Sequence, residues 1–110
     1  MTKAVLTYSD SFYDLEVSGH SGYADYGSDI VCAAVSAVTL ALCEYIKTLN
    51  CRSSLDVRDG YIHITAEGGL RDAVAFTECA FKPICSETFG YVEFSEKEIS
   101  NDDDDKAFPL

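Results

Sequence analysis

Positive charge is scarce in this chain. Its 110 residues hold eight Lys and Arg against nineteen Asp and Glu, for a formal net charge of −11 and a pI of about 4.3. A surface of that sign repels phosphates, so direct binding to RNA or DNA is not expected. A basic protein partner is electrostatically better suited. Long apolar runs are missing as well. None approaches the ~20 residues that span a bilayer, and the opening MTKAVLTYSD lacks the charged, apolar and cleavage regions of a signal peptide. The expectation is a cytoplasmic protein without membrane contact. The five cysteines, Cys32, Cys43, Cys51, Cys79 and Cys85, form no C-x-x-C pair and are odd in number. That is a poor basis for a disulfide framework or a zinc site, and suggests reduced thiols. A Gly-x-Gly-x-x-Gly string and a phosphate loop are both lacking. No metal or cofactor is implied.

What is present suits one small domain. Apolar residues make up 47% of the chain, enough for a core. No internal repeat or linker divides it. The last ten residues, NDDDDKAFPL, contain DDDDK, the recognition string of enteropeptidase. They read as a vector-derived acidic tail, Asn101–Leu110, after a domain of residues 1–100. Setting that tail aside, with its four Asp and one Lys, leaves the remainder at −8 and still acidic.

Residue patterns predict seven elements. Lys3–Tyr8 and Phe12–Ser18 are strand-like, joined by a Ser-Asp-Ser turn. Tyr13, Leu15 and Val17 alternate with Asp14 and Glu16, which implies a sheet covered on one side and wet on the other. A glycine-rich loop, Gly19 to Gly27, leads to a helix from Ser28 or Asp29 to Leu49. Ser28 suits the N-cap and Asp29 the positive helix end. Ser54–Arg58 and Tyr61–Glu67 flank Asp59-Gly60, a type I′ hairpin signal, with His63 opposite the apolar register. A second helix follows Gly68-Gly69, and Pro83 predicts that it kinks or stops near Lys82. A strand from Tyr91 to Ser95, extendable to Ile99, closes the chain. The order β-β-α-β-β-α-β, with short connections, points to an α+β fold: two layers, a mostly antiparallel sheet with both helices on one face.

The chemistry concentrates in SGHSGYADYGSDIVCAAVS, residues 18–36. His20 and Cys32 stand at the two ends of the glycine-rich loop. A loop that folds back brings an imidazole to a thiol, the minimum equipment of a cysteine nucleophile and its base. Cys32 falls at a helix start, where free N–H groups and the helix dipole favour an anion, and where backbone N–H groups are candidates for an oxyanion site. Each residue also has a plainer role. Cys32 serves equally as a small core residue, Asp29 as a helix-end charge, Ser36 as a hydroxyl bonded back to its own helix, and Gly19 as the end of a strand. Three glycines make residues 21–28 a candidate cover over the site.

The string GHSGYADYGSDIVCAAVS resembles the signature of the ribosomal-processing cysteine protease (Prp) family. Ser21 and Asp25 stand where that family's pattern has alanine and glutamate. The resemblance implies catalytic roles for His20 and Cys32, and supporting or substrate-binding roles for Gly19, Asp29 and Ser36. It further implies a homodimer that removes a short N-terminal extension from the precursor of a large-subunit ribosomal protein, the twenty-seventh of the L series, cutting after a pair of phenylalanines. Tyr8, Phe12, Tyr23 and Tyr26 are candidate walls for an aromatic-binding groove. Two other readings compete: a non-catalytic acidic dimer that chaperones a basic ribosomal protein, and a different cysteine chemistry, such as peroxide sensing or acyl transfer.

Overall fold

The computed structural model describes residues 1–25, 29–88 and 90–99. Tyr26, Gly27, Ser28 and the tail from residue 101 lie outside that set, as do the expectations placed on them. The elements follow the expected order: β1 (Thr2–Tyr8), β2 (Phe12–Ser18), α1 (Ile30–Lys47), β3 (Ser53–Arg58), β4 (Tyr61–Glu67), α2 (Arg71–Thr88) and β5 (Val92–Glu98). The five strands form one sheet in the order β3-β4-β2-β1-β5. Three pairings are antiparallel, and β1 with β5 is parallel. This is the α+β arrangement that the pattern implied, with a mixed and mostly antiparallel sheet.

Period-two alternation decides which face is covered. Ala4 and Leu6 of β1 sit opposite Val17 and Leu15 of β2, and Leu15 sits opposite Ile64 of β4. All five are buried. They share one core with Val31, Val35, Leu42 and Ile46 of α1 and with Ala73, Val74 and Phe81 of α2, so both helices lie on the same face. Each fully buried Leu or Ile in this core contributes about 1.5–3 kcal/mol. The other face carries Asp14, Glu16 and His63. His63 Nε2 stands 3.0 and 3.1 Å from the two Asp14 carboxylate oxygens. Burial raises the Asp14 carboxyl above its ordinary range, against the opposing pull of His63.

Inside the core, Tyr13 Oη and Thr77 Oγ1 are 2.7 Å apart, and Thr77 donates its own hydrogen to the Ala73 carbonyl. The phenol is therefore the donor. Burial pushes its pKa well above the ordinary value. Tyr13→Phe leaves the Thr77 oxygen short of a donor, and urea unfolding should show a loss of about 1 kcal/mol.

Three local expectations are corrected. Helix α2 does not end near Lys82. It runs through Pro83 to Thr88. An interior proline costs about 3 kcal/mol. Here Pro83 faces solvent, while Phe81 is buried and stacks on Phe94 of β5 with centroids 5.5 Å apart, and Ile84 and Cys85 pack on the core. Packing on both sides of the proline holds the helix together. The Asp59-Gly60 hairpin is not type I′. Among the described residues only Asn50 has positive φ without being glycine, so Gly60, at φ +69°, alone supplies the left-handed step. That pattern fits a type II turn. Helix α1 starts at Ile30 with Asp29 as its N-cap.

Helix α1, 18 residues with a mean hydropathy of 1.7, matches a membrane span in length and composition. In the fold it is a core helix. Val31, Val35, Thr39, Leu42, Cys43 and Ile46 are buried, whereas Ile30, Ala33, Ala37, Leu40 and Ala41 are exposed.

Candidate active site

Strand register brings three separate pieces of chain to one end of the sheet. Ser18, the last residue of β2, pairs with Tyr61, and Tyr61 pairs with Arg58 across the β3–β4 turn. The residues just after β2 therefore emerge beside Asp59 and Gly60. The Gly19 N–H donates to the Gly60 carbonyl at 2.8 Å. Gly19 has φ +88°, and a Cβ there would lie 2.5 Å from the Met1 carbonyl oxygen. Its glycine character is thus required by the backbone of Met1, just before β1, which accounts for the strand-end role.

A cavity of about 590 Å³ opens at this end, between the first turns of α1 and the β3–β4 hairpin. His20, Cys32 and Ser36 all line it, as do Gly19 and Asp29. The five residues singled out in the sequence therefore share one cavity. Ser36 is exposed one turn beyond Cys32 on the same side of the helix. The imidazole of His20 rests on the hairpin turn, with Nε2 3.9 Å from Asp59 Oδ1.

Cys32 is the third residue of α1 and is half-buried. The Ser21 N–H points at its sulfur at 3.3 Å, and the thiol donates to Ser21 Oγ at 3.6 Å. Ser21 is 3% exposed. Its hydroxyl donates to Asp29 Oδ2 at 2.5 Å. The same Asp29 oxygen accepts the N–H groups of Tyr23 at 3.1 Å and Ala24 at 3.3 Å. The other oxygen, Oδ1, accepts the N–H groups of Val31 and Cys32, both at 2.9 Å. Desolvation works against the Asp29 charge, but hydrogen bonds from Ser21 and from the backbone of Cys32, Ala24 and Val31 outweigh it and hold the carboxyl at about 2. Of its two suggested roles, the helix-end one is what these bonds describe, extended to the loop.

This alters the expected oxyanion donors. The N–H groups of Val31 and Cys32 go to the Asp29 side chain, and that of Ala33 to the Asp29 carbonyl. The N–H directed at the sulfur is that of Ser21 instead.

Three of the four candidate aromatic walls, Tyr8, Phe12 and Tyr23, are also corrected, Tyr26 lying outside the described residues. Tyr8 and Phe12 flank the β1–β2 turn, at the opposite end of those strands from Gly19. Phe12 is buried, and Tyr23 packs edge-on against Tyr91 with centroids 5.2 Å apart. The apolar walls are instead Val17, Val35, Leu40, Val57 and Ile62. β3 is an edge strand exposed along its length, and Val57 is 52% exposed despite its inward register. Among the described residues, no three His, Cys, Asp or Glu side chains are grouped to hold a metal.

Ser21 and Asp59 were missed as site residues. Ser21 did stand out, as a departure from the family's alanine. Asp59 was legible only as half of a turn.

Comparisons with known proteins bear on the family and the fold. A search of curated proteins finds no match. Among solved structures, an essential ribosomal processing protease Prp from S. aureus, in complex with a covalently linked product peptide, superposes with a TM-score of 0.77 at 25% identity, covering 88% of this chain and 100% of that one. The same S. aureus protease with a substrate peptide gives 0.71 at 24% identity, over 88% and 100%. A protein from Streptococcus mutans gives 0.58 at 23% identity, over 92% and 96%, a likeness of fold. The family model described as cysteine protease Prp matches residues 1–106. With a match over nearly its whole length, the chain belongs to the Prp family of cysteine proteases, which are peptidases.

Proposed function

We propose that this chain is an endopeptidase that removes the N-terminal extension of the precursor of the twenty-seventh large-subunit ribosomal protein, cutting after a phenylalanine pair. The observation that carries this reading is that His20 and Cys32 line one peptide-sized cavity, with the thiol at a helix start. Cys32 Sγ attacks the scissile carbonyl while His20 takes the thiol proton. The C–N bond breaks, His20 protonates the leaving amine, and a thioester remains. His20 then deprotonates water, which releases the new carboxylate and restores the thiol. Cysteine and histidine act as a dyad. Gly19 and Ser36 lie beside the bound peptide, and Asp29 supports the helix start. Leu40, Val57 and Ile62 offer apolar contact for aromatic side chains.

The enzyme works in the cytoplasm, where the ribosomal precursor is made, and as a homodimer. The apolar, alanine-rich face of α1 that the fold leaves exposed supports the second point. The test of the activity is cleavage of a peptide carrying the extension, read by mass spectrometry, with Cys32→Ala as the control. Tight binding without cleavage would instead favour the chaperone reading.

The acidic surface suits a basic substrate body. For the full-length precursor, kcat/KM should fall several-fold between low salt and about 0.5 M, because salt screens charge attraction. The short extension peptide should be much less sensitive. Identical salt profiles for both would remove electrostatic steering.

A further inference from the structure

We propose that Asp59, at the tip of the β3–β4 hairpin, is a positioning residue for His20, and that the Asp59-Gly60 turn is the seat on which the imidazole is held. The proposal rests on the reading of His20 as the base. Three observations converge on the turn. His20 Nε2 lies 3.9 Å from Asp59 Oδ1. The ring also lies over Gly60, where an added Cβ would meet Nε2 at 2.9 Å, Cδ2 at 3.4 Å and Cε1 at 3.5 Å. The backbone beside His20 is tied to the same turn through Gly19 N–H and the Gly60 carbonyl at 2.8 Å. The neighbouring Arg58 guanidinium is directed elsewhere, to Asp56 at 3.1 Å and over the Tyr61 ring at 4.5 Å.

Because Nε2 faces the turn, Nδ1 lies on the ring edge turned away from it. At 3.9 Å the contact is a charge pair and not a hydrogen bond, so it counts most once His20 has taken the Cys32 proton. The imidazolium formed in that step has Asp59 as its counter-charge. The pair is open to water in the free enzyme, with side chains 53% and 80% exposed. A bound peptide displaces that water and strengthens the interaction when the charge develops.

The experiment compares intact protein with Asp59→Ala and Asp59→Asn. Since Asp59 is exposed, both variants should melt as the intact protein does. Asp59→Ala should lower kcat about tenfold with KM nearly unchanged, since the ion pair matters most in the transition state. Asp59→Asn, which keeps an acceptor but no charge, should fall between. Nuclear Overhauser contacts from the His20 ring protons to the Gly60 α protons should be present in the intact protein and weakened in Asp59→Ala. The proposal is overturned if Asp59→Ala keeps full kcat while His20→Ala is inactive, a result that leaves the protease reading standing. Were the intact protein to cleave nothing, the protease reading would fail, and the ring contacts alone would decide the seat: their loss in Asp59→Ala would support it and their persistence would overturn it.

Discussion

Cys32→Ala is expected to lower kcat on the extension peptide by roughly 10⁵-fold or more, the scale seen when a catalytic nucleophile is removed. Without Sγ no thioester can form, and the rest of the cavity is left only with substrate positioning. His20→Ala should cost nearly as much, and the double variant little more than either alone, because nucleophile and base act as one unit. Peptide affinity should change little, since the substitution removes one half-buried sulfur and leaves the apolar walls intact. The fold should also persist, because the buried residues Val31 and Val35 on either side of Cys32 pack α1 onto the sheet. Other thiols are poor substitutes. Burial pushes the thiols of Cys43 and Cys85 up, the wrong direction for a nucleophile. Single-turnover cleavage followed by mass spectrometry measures the effect, with circular dichroism as the check on folding. A Cys32→Ala protein that cleaves at even a few per cent of the intact rate would rule out this nucleophile.

The strands were legible because β1, β2 and β4 bury one face only, so their alternation records the sheet side. The parallel contact of β1 with β5 was not legible. It joins the two ends of the chain, and no local pattern encodes which edge a last strand takes. Pro83 misled for a related reason. Its cost is local, while the packing that outweighs it, Phe81 on Phe94, comes from another element. Within the site, His20, Cys32 and Ser36 were marked by residue type and spacing along one loop and one helix. The seat of His20 is separated from it by about 40 residues, and only the Ser18–Tyr61 register brings the two together. The aromatic walls failed because Tyr8 and Phe12 are near in sequence but lie a full strand length away.

Asp29→Asn is expected to free the loop while leaving the helix capped, and to lower kcat/KM about tenfold by loosening the cysteine's surroundings. Five donors converge on this carboxylate, two at one oxygen and three at the other. An asparagine has one carbonyl oxygen and one NH₂ group. Its oxygen can still cap Val31 and Cys32, since Asn is a good N-cap. Its NH₂ then faces Ser21 Oγ and the N–H groups of Tyr23 and Ala24, none of which it satisfies as an acceptor. Amide exchange at Tyr23 and Ala24 should speed up, while exchange within α1 stays slow. Asp29→Ala loses both sets of bonds and should be worse in activity and in melting temperature. The charge carries a pH signature whose sign follows from the depressed carboxyl, at about 2 in the fold against about 3.9 in an unfolded chain. A lowered acid pKa stabilises the fold above the unfolded value and loses that effect as pH falls through the folded one. The stability gap between intact protein and Asp29→Asn should therefore be full at neutral pH, shrink below about 4 and close near 2. Urea unfolding at pH 7, 4, 3 and 2 measures it. A gap that stays constant over that range would show that the carboxylate's charge is not what binds the loop to the helix that carries Cys32.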